Sequence, residues 1–99
     1  MPTRATMLGM NEKTLDFDCG IAYERLFAWL DEELALARSD GNWTFEDGGS
    51  TCTVALEPLE NRSFARLELE RAHLVVRGHA EAVATFEKLF TLRFMSAGG

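Results

Sequence analysis

The stretch from Phe64 to Gly78, "FARLELERAHLVVRG", decides how this chain is read. Apolar residues alternate with polar ones as in a strand half covered by a core: Ala65, Leu67 and Leu69 first, then Leu74 and Val76. The parity changes between Leu69 and Leu74, and because side chains alternate faces along a strand, some device must reset the face. Either a tight turn at Arg71-Ala72 or a bulge in one long strand would do it. We take the turn as the preferred reading. It sets Leu69 opposite Leu74, Leu67 opposite Val76 and Arg66 opposite Arg77.

Upstream, "NWTFE" at 42–46 places Trp43 and Phe45 on one side, and "TCTVALE" at 51–57 does the same for Cys52, Val54 and Leu56. "DGGS" at 47–50 supplies hairpin glycines between them, so the two segments pair antiparallel. Pro58, Asn61 and Ser63 mark the connection onward. An earlier strand is expected at "KTLDFD", 13–18, where Leu15 and Phe17 share a side.

Two amphipathic helices frame these strands. In "GIAYERLFAWLDEELALARSDG", 20–41, Tyr23, Leu26, Phe27, Leu30, Leu34 and Ala37 recur at three- and four-residue spacings. Asp18 is placed to cap its start and Gly41 to end the following turn, while Glu24, Asp31 and Glu32 point to solvent. Trp29 and Leu36 lie at the edge of the stripe, which they widen, and are expected to be partly exposed. In "HAEAVATFEKLFTLRF", 79–94, the apolar face is Ala82, Val83, Phe86, Leu89, Phe90 and Phe94. Arg93 falls amid that face, so either the helix ends near Thr91 or the arginine reaches an acidic partner.

The expected fold is therefore α+β, a two-layer sandwich whose antiparallel sheet of four to five strands carries two helices on one face, in the order β-α-β-β-β-β-α. One domain covers residues 12–95; residues 1–11 read as a tail or irregular strand and 96–99 as a flexible C-terminal tail. The second sheet face, bearing Thr53, Glu57, Arg66, Glu68, Glu70, His73 and Arg77, is left open to solvent or a partner.

Of 99 residues, 46% are hydrophobic and 26% charged, the composition of a globular chain. A net charge of -6 repels phosphate backbones and argues against nucleic acid as a partner. No apolar run reaches the length of a signal-peptide core or a membrane span, so a cytoplasmic protein with no membrane partner is expected. Cys19 and Cys52, the only cysteines, then read as free thiols.

The chain ends in Gly98-Gly99 and so resembles ubiquitin-like sulfur carriers and modifiers, in those two residues only. The resemblance implies a β-grasp fold with the tail leaving a strand, whereas here the tail follows an amphipathic helix and reads as a helix stop. Cys19, Cys52, His73 and His79 have the residue types of a zinc site without its paired local spacing, and no metal or other cofactor is expected. Cys19 stands at a helix start, where amide groups favour the thiolate, but Asp16 and Asp18 oppose this and no CxxC is present; an inert thiol is expected. No catalytic constellation is legible.

Three functions follow in order. The first is a non-enzymatic protein-interaction or assembly module, with Trp29 and Leu36 as the candidate interface for a protein partner or for self-association. The second is a small-anion binding domain using Arg66, His73 and Arg77. The third is a carrier acting through Gly99.

Overall fold

The computed structural model describes residues 11–65 and 67–95. Residues 1–10 of the expected 1–11 tail, the 96–99 tail with the Gly-Gly pair, and Arg66 lie outside the described residues. The chain forms β1 (Glu12–Cys19), helix α1 (Tyr23–Ala28) running into a wider π-helical turn (Trp29–Glu33), β2 (Ala37–Ser39), β3 (Asn42–Asp47), β4 (Ser50–Phe64), β5 (Leu67–His79), and helix α2 (Ala80–Phe90) with its own π-helical turn (Thr91–Met95). All strand pairs are antiparallel in one five-stranded sheet of order β1-β5-β4-β3-β2.

Both helices cover one sheet face. Cys52, Val54, Ala72, Leu74, Val76, Trp43 and Phe45 are buried on it. Aromatic pairs tie it to the helices: Phe27 meets Trp43 edge-on with centroids 5.2 Å apart, Phe45 meets Phe86 at 5.6 Å, and Phe17 meets Phe90 at 5.4 Å. The fold is thus the two-layer α+β sandwich, with the expected order of elements. Two of its strands are nevertheless not the expected ones.

The turn at Arg71-Ala72 is absent: residues 67–79 form one strand, and the β4–β5 reversal comes at Ala65, whose φ is 57°. Val76 pairs with Val54 and Leu74 with Leu56. The irregularity lies in the partner strand, where the register shifts between Leu59 and Arg62. The change of parity has a simple cause. Ala72, Leu74 and Val76 are inward, whereas Leu69 falls on the other set and is 48% exposed, so the alternation shifts where the core ends. By the same parity Glu68 and Glu70 leave the open face on which they were expected.

Pro58, Asn61 and Ser63, read as a connection, lie inside β4. Pro58 pairs with Ala72 beyond the last β3 contact, Asn42 with Ala55. A strand with no neighbour on that side tolerates a residue that cannot donate to a ladder.

The missing strand is supplied by Ala37–Ser39, read as the end of the first helix. The helix stops earlier because the Leu34 amide donates to the Trp29 carbonyl (2.8 Å), Ala35 turns left-handed (φ 53°), and the Leu36 amide closes on Leu30 (3.1 Å). Gly41, with Asp40, makes the tight β2–β3 hairpin rather than a helix end, as Gly48-Gly49 does for β3–β4; all four have positive φ. Asp18 does not cap α1, whose N-cap is Ala22 with no side-chain bond. Asp31 is not a solvent residue either: it accepts from the Trp43 indole (3.2 Å) and pairs with Arg38 (3.4 Å).

At Gly78 the neighbouring strand β4 leaves no room for a side chain. Its φ is 152°, and a Cβ there would stand 2.5 Å from the Cys52 Cα and 2.6 Å from the Thr51 carbonyl. His79 then caps α2, its Nδ1 accepting from the Glu81 amide at 3.2 Å.

Candidate functional site

Three features lie outside the core, positioned by β1, β4, β5 and the end of α2. The first is on the open sheet face. Register places His73 between Asp18 on β1 and Glu57 on β4, with Asp16 one diagonal step away. The imidazole bridges the three strands, its Nε2 2.6 Å from Asp16 Oδ1 and its Nδ1 3.1 Å from Glu57 Oε1. Only the imidazolium can donate from both nitrogens at once. The hydrogen bond to Asp16, then that to Glu57, hold its pKa above the ordinary histidine value, with the charges of Asp16 and Asp18 adding to them and desolvation opposing. Beside it, Arg71 donates to Asp18 at 3.2 Å and to the Glu60 carbonyl at 3.4 Å.

This changes the outlook for the expected cationic site. His73 does face outward, but both its nitrogens are held by carboxylates of the chain itself, and an anion would have to displace them. Arg77 is exposed on the same strand and has no acidic partner among the described residues. Arg66, the third member, is outside the described residues.

The second feature is an apolar cleft of about 440 Å³ between the end of β1 and the end of α2, lined by Phe17, Cys19, Ile21, Phe90, Phe94 and Met95. Its floor is the aromatic core. Trp29, expected at a partly exposed interface, is 3% exposed because α2 folds over it: Phe86, Phe90 and Phe94 have centroids 5.4, 5.9 and 5.2 Å from its own. Leu36 is half-buried against the same core. The Trp29 part of the candidate interface is therefore consumed by packing, while Leu36, past the end of the helix, stays partly exposed.

Burial pushes the Cys19 thiol up to about 11, and Asp18 adds to the shift; Cys52 is raised to about 11 by burial alone. The two cysteines lie on the buried side, His73 on the open face and His79 at the cap of α2. No group of three metal-ligating side chains is found among the described residues.

Arg93 answers the question its position raised. The helix continues past Thr91 as a π-helical turn, and Arg93 makes a two-pronged bond to Glu33, Nε to Oε1 and a terminal nitrogen to Oε2, both 3.1 Å. That bond lowers the Glu33 pKa.

The third feature is an arm. β3 stops opposite Ala55 and β1 stops opposite Ala72, while β4 and β5 run on together to Phe64 and Leu67. β4, 15 residues long, spans about 50 Å, and residues 56–64 of it run on beyond the last β3 pair. Residues 56–64 and 67–71 have no ladder partner on their outer sides among the described residues. Where β1 leaves β5, a notch of about 300 Å³ is lined by Asp18, Cys19, Gly20, Leu69 and Arg71.

Sequence reasoning located His73 and Arg77 but not the carboxylates that clamp the former, nor Leu69 as a surface residue. The pairing of residues 16, 57 and 73 needs a cross-strand register that no local pattern carries. Pro58 was the available signal for the arm, since a proline inside a strand points to an unpaired edge.

Comparison with protein-family models, with curated proteins and with solved structures finds no match to this chain. No helix among the described residues is long and apolar enough to cross a membrane. The class defined by fold and surface is a two-layer α+β domain with a projecting hairpin.

Proposed function

We propose that this chain is a protein-interaction module whose contact element is the projecting β4–β5 arm. One observation carries the reading: two strands continue past all their neighbours with both outer edges unpaired. An unpaired strand edge presents backbone donors and acceptors in a row and is a template for another chain. Leu69, 48% exposed near the base of the arm, adds apolar surface beside the notch. The interface shifts from buried Trp29 and half-buried Leu36 to this end of the sheet. No specific observation favours the small-anion reading, since the His73 imidazole is already engaged.

The test compares the full chain with a variant in which residues 60–70 are replaced by Asn-Gly, closing the hairpin just past the paired residues Leu59 and Arg71. Affinity capture from the source organism, followed by sizing, should show a complex with the intact chain that the shortened chain fails to form at unchanged melting temperature. A complex that survives arm removal, or an intact chain that stays alone at all concentrations, overturns the proposal.

A further inference from the structure

The partner's chemistry follows from the lane that β1 vacates; this inference rests on the reading of the arm as a contact element. β1 pairs with β5 only as far as Cys19 and Ala72, and Gly20 then turns the chain away, leaving the outer edge of residues 67–71 open in the same lane. An added strand would there continue the sheet beyond β1.

Side chains of that strand meet two different surfaces. The residue opposite Leu69 lies on the face of the notch formed with Gly20 and Arg71, which has room for an apolar side chain. Its two neighbours fall on the other face, opposite Glu68 and Glu70. Both carboxylates are exposed and make no ion pair among the described side chains; Glu68 accepts an amide bond from Asn61, at 3.0 Å. Arg71 lies on the opposite face by strand parity and is committed to Asp18. The complement is a cationic residue, an apolar residue and a second cationic residue in sequence.

A second copy of this chain fits worse. Pairing residues 67–71 about a two-fold axis at Leu69 sets Glu68 against Glu70 of the other copy, and like charges directly opposite destabilise a strand pair. The other edge of the arm carries Pro58 and a register shift, both of which discourage strand addition. The net charge of -6 favours a basic partner further.

We infer that the β5 edge at residues 67–71 binds an extended basic peptide by strand addition, selecting alternating cationic and apolar residues with an apolar side chain in the Leu69 notch. The probe is a capped heptapeptide of alternating lysine and valine, titrated into the isotope-labelled full chain and followed by backbone amide shifts. The expected result is shifts confined to residues 67–71 and Gly20. The double variant E68K/E70K should bind about 10-fold more weakly and prefer the glutamate–valine counterpart instead. Methylation of the edge-facing peptide amides should abolish binding to both.

No shifts at millimolar peptide, shifts centred on His73, equal response to the methylated peptide, or a dimer formed through this edge would each overturn the inference. The arm-shortening capture experiment has its own readout. A partner lost on shortening while the lysine peptide fails would sink the strand-addition chemistry and leave the arm as the contact element.

Discussion

β4 and β5 are each two things along one length. From Cys52 to Leu56 and from Ala72 to Val76 they are the centre of a five-stranded sheet, with Val54, Leu74 and Val76 wholly buried under the helices. Beyond Leu59 and Arg71 the same strands run on as a two-stranded ribbon with exposed glutamates and Leu69. In the first region side-chain burial holds the ladder, and in the second only the ladder and cross-strand pairs do. An isolated two-stranded ribbon is marginal in water, so the arm takes its stability from the body it grows out of. A strand is therefore not evidence of a core.

That contrast can be broken most severely from the body side. Phe86, fully buried against Trp29 and Phe45, should cost about 4 kcal/mol when replaced by alanine, read as a fall in the urea midpoint; a loss below about 1 kcal/mol would mean the helices do not stabilise this half of the sheet. Gly78→Ala follows at about 3 kcal/mol, because the new methyl meets the backbone of Thr51 and Cys52 at a positive φ. Its measured loss reports how rigidly β4 and β5 approach at the body end.

His73 ties β1, β5 and β4 together near the end of the body, and its contribution depends on pH. Its pKa is raised in the folded state, so the stabilisation is fully present below the unfolded value near 6.5 and is lost as pH rises through the higher native value. A ring-proton titration should give a midpoint above 6.5, and His73→Gln should flatten the decline of melting temperature on the alkaline side. A midpoint at or below 6.5 would show that Asp16 and Glu57 do not hold the imidazolium. The smallest effect should come from the arm: replacing residues 60–70 by Asn-Gly should change stability by less than about 1 kcal/mol, and a larger loss would mean that the two regions fold as one.

The body was legible and the arm was not, for physical reasons. The helix stripes through Leu26 and Leu30 and through Phe86 and Phe90, and the Gly48-Gly49 hairpin, are local signals, and all are found in place. The 37–39 strand was hidden because Ala37 continues the helical period of Leu34, and the helix stop at Ala35 carries no glycine to announce it. Leu69 was read as core because alternation records a pleat without recording what covers it. Helical spacing leaves Trp29 at the edge of its stripe and partly exposed, because its burial depends on Phe86, Phe90 and Phe94, contributed from more than fifty positions away.

The two buried thiols have a consequence for kinetics. With pKa values near 11, neither Cys19 nor Cys52 offers much thiolate at neutral pH; Cys52, 2% exposed, is reached only by an opening motion, whereas Cys19 lines both the apolar cleft and the notch. Cys19 ends the edge strand β1, whereas Cys52 sits on central β4 beneath the Gly78 crossing. A slow thiol reagent thus reads two clocks in one molecule. The Cys19 clock times reaction from the surface of the cleft and the Cys52 clock the opening of the sheet, and their ratio measures how strongly the central strand is protected relative to a thiol at its edge.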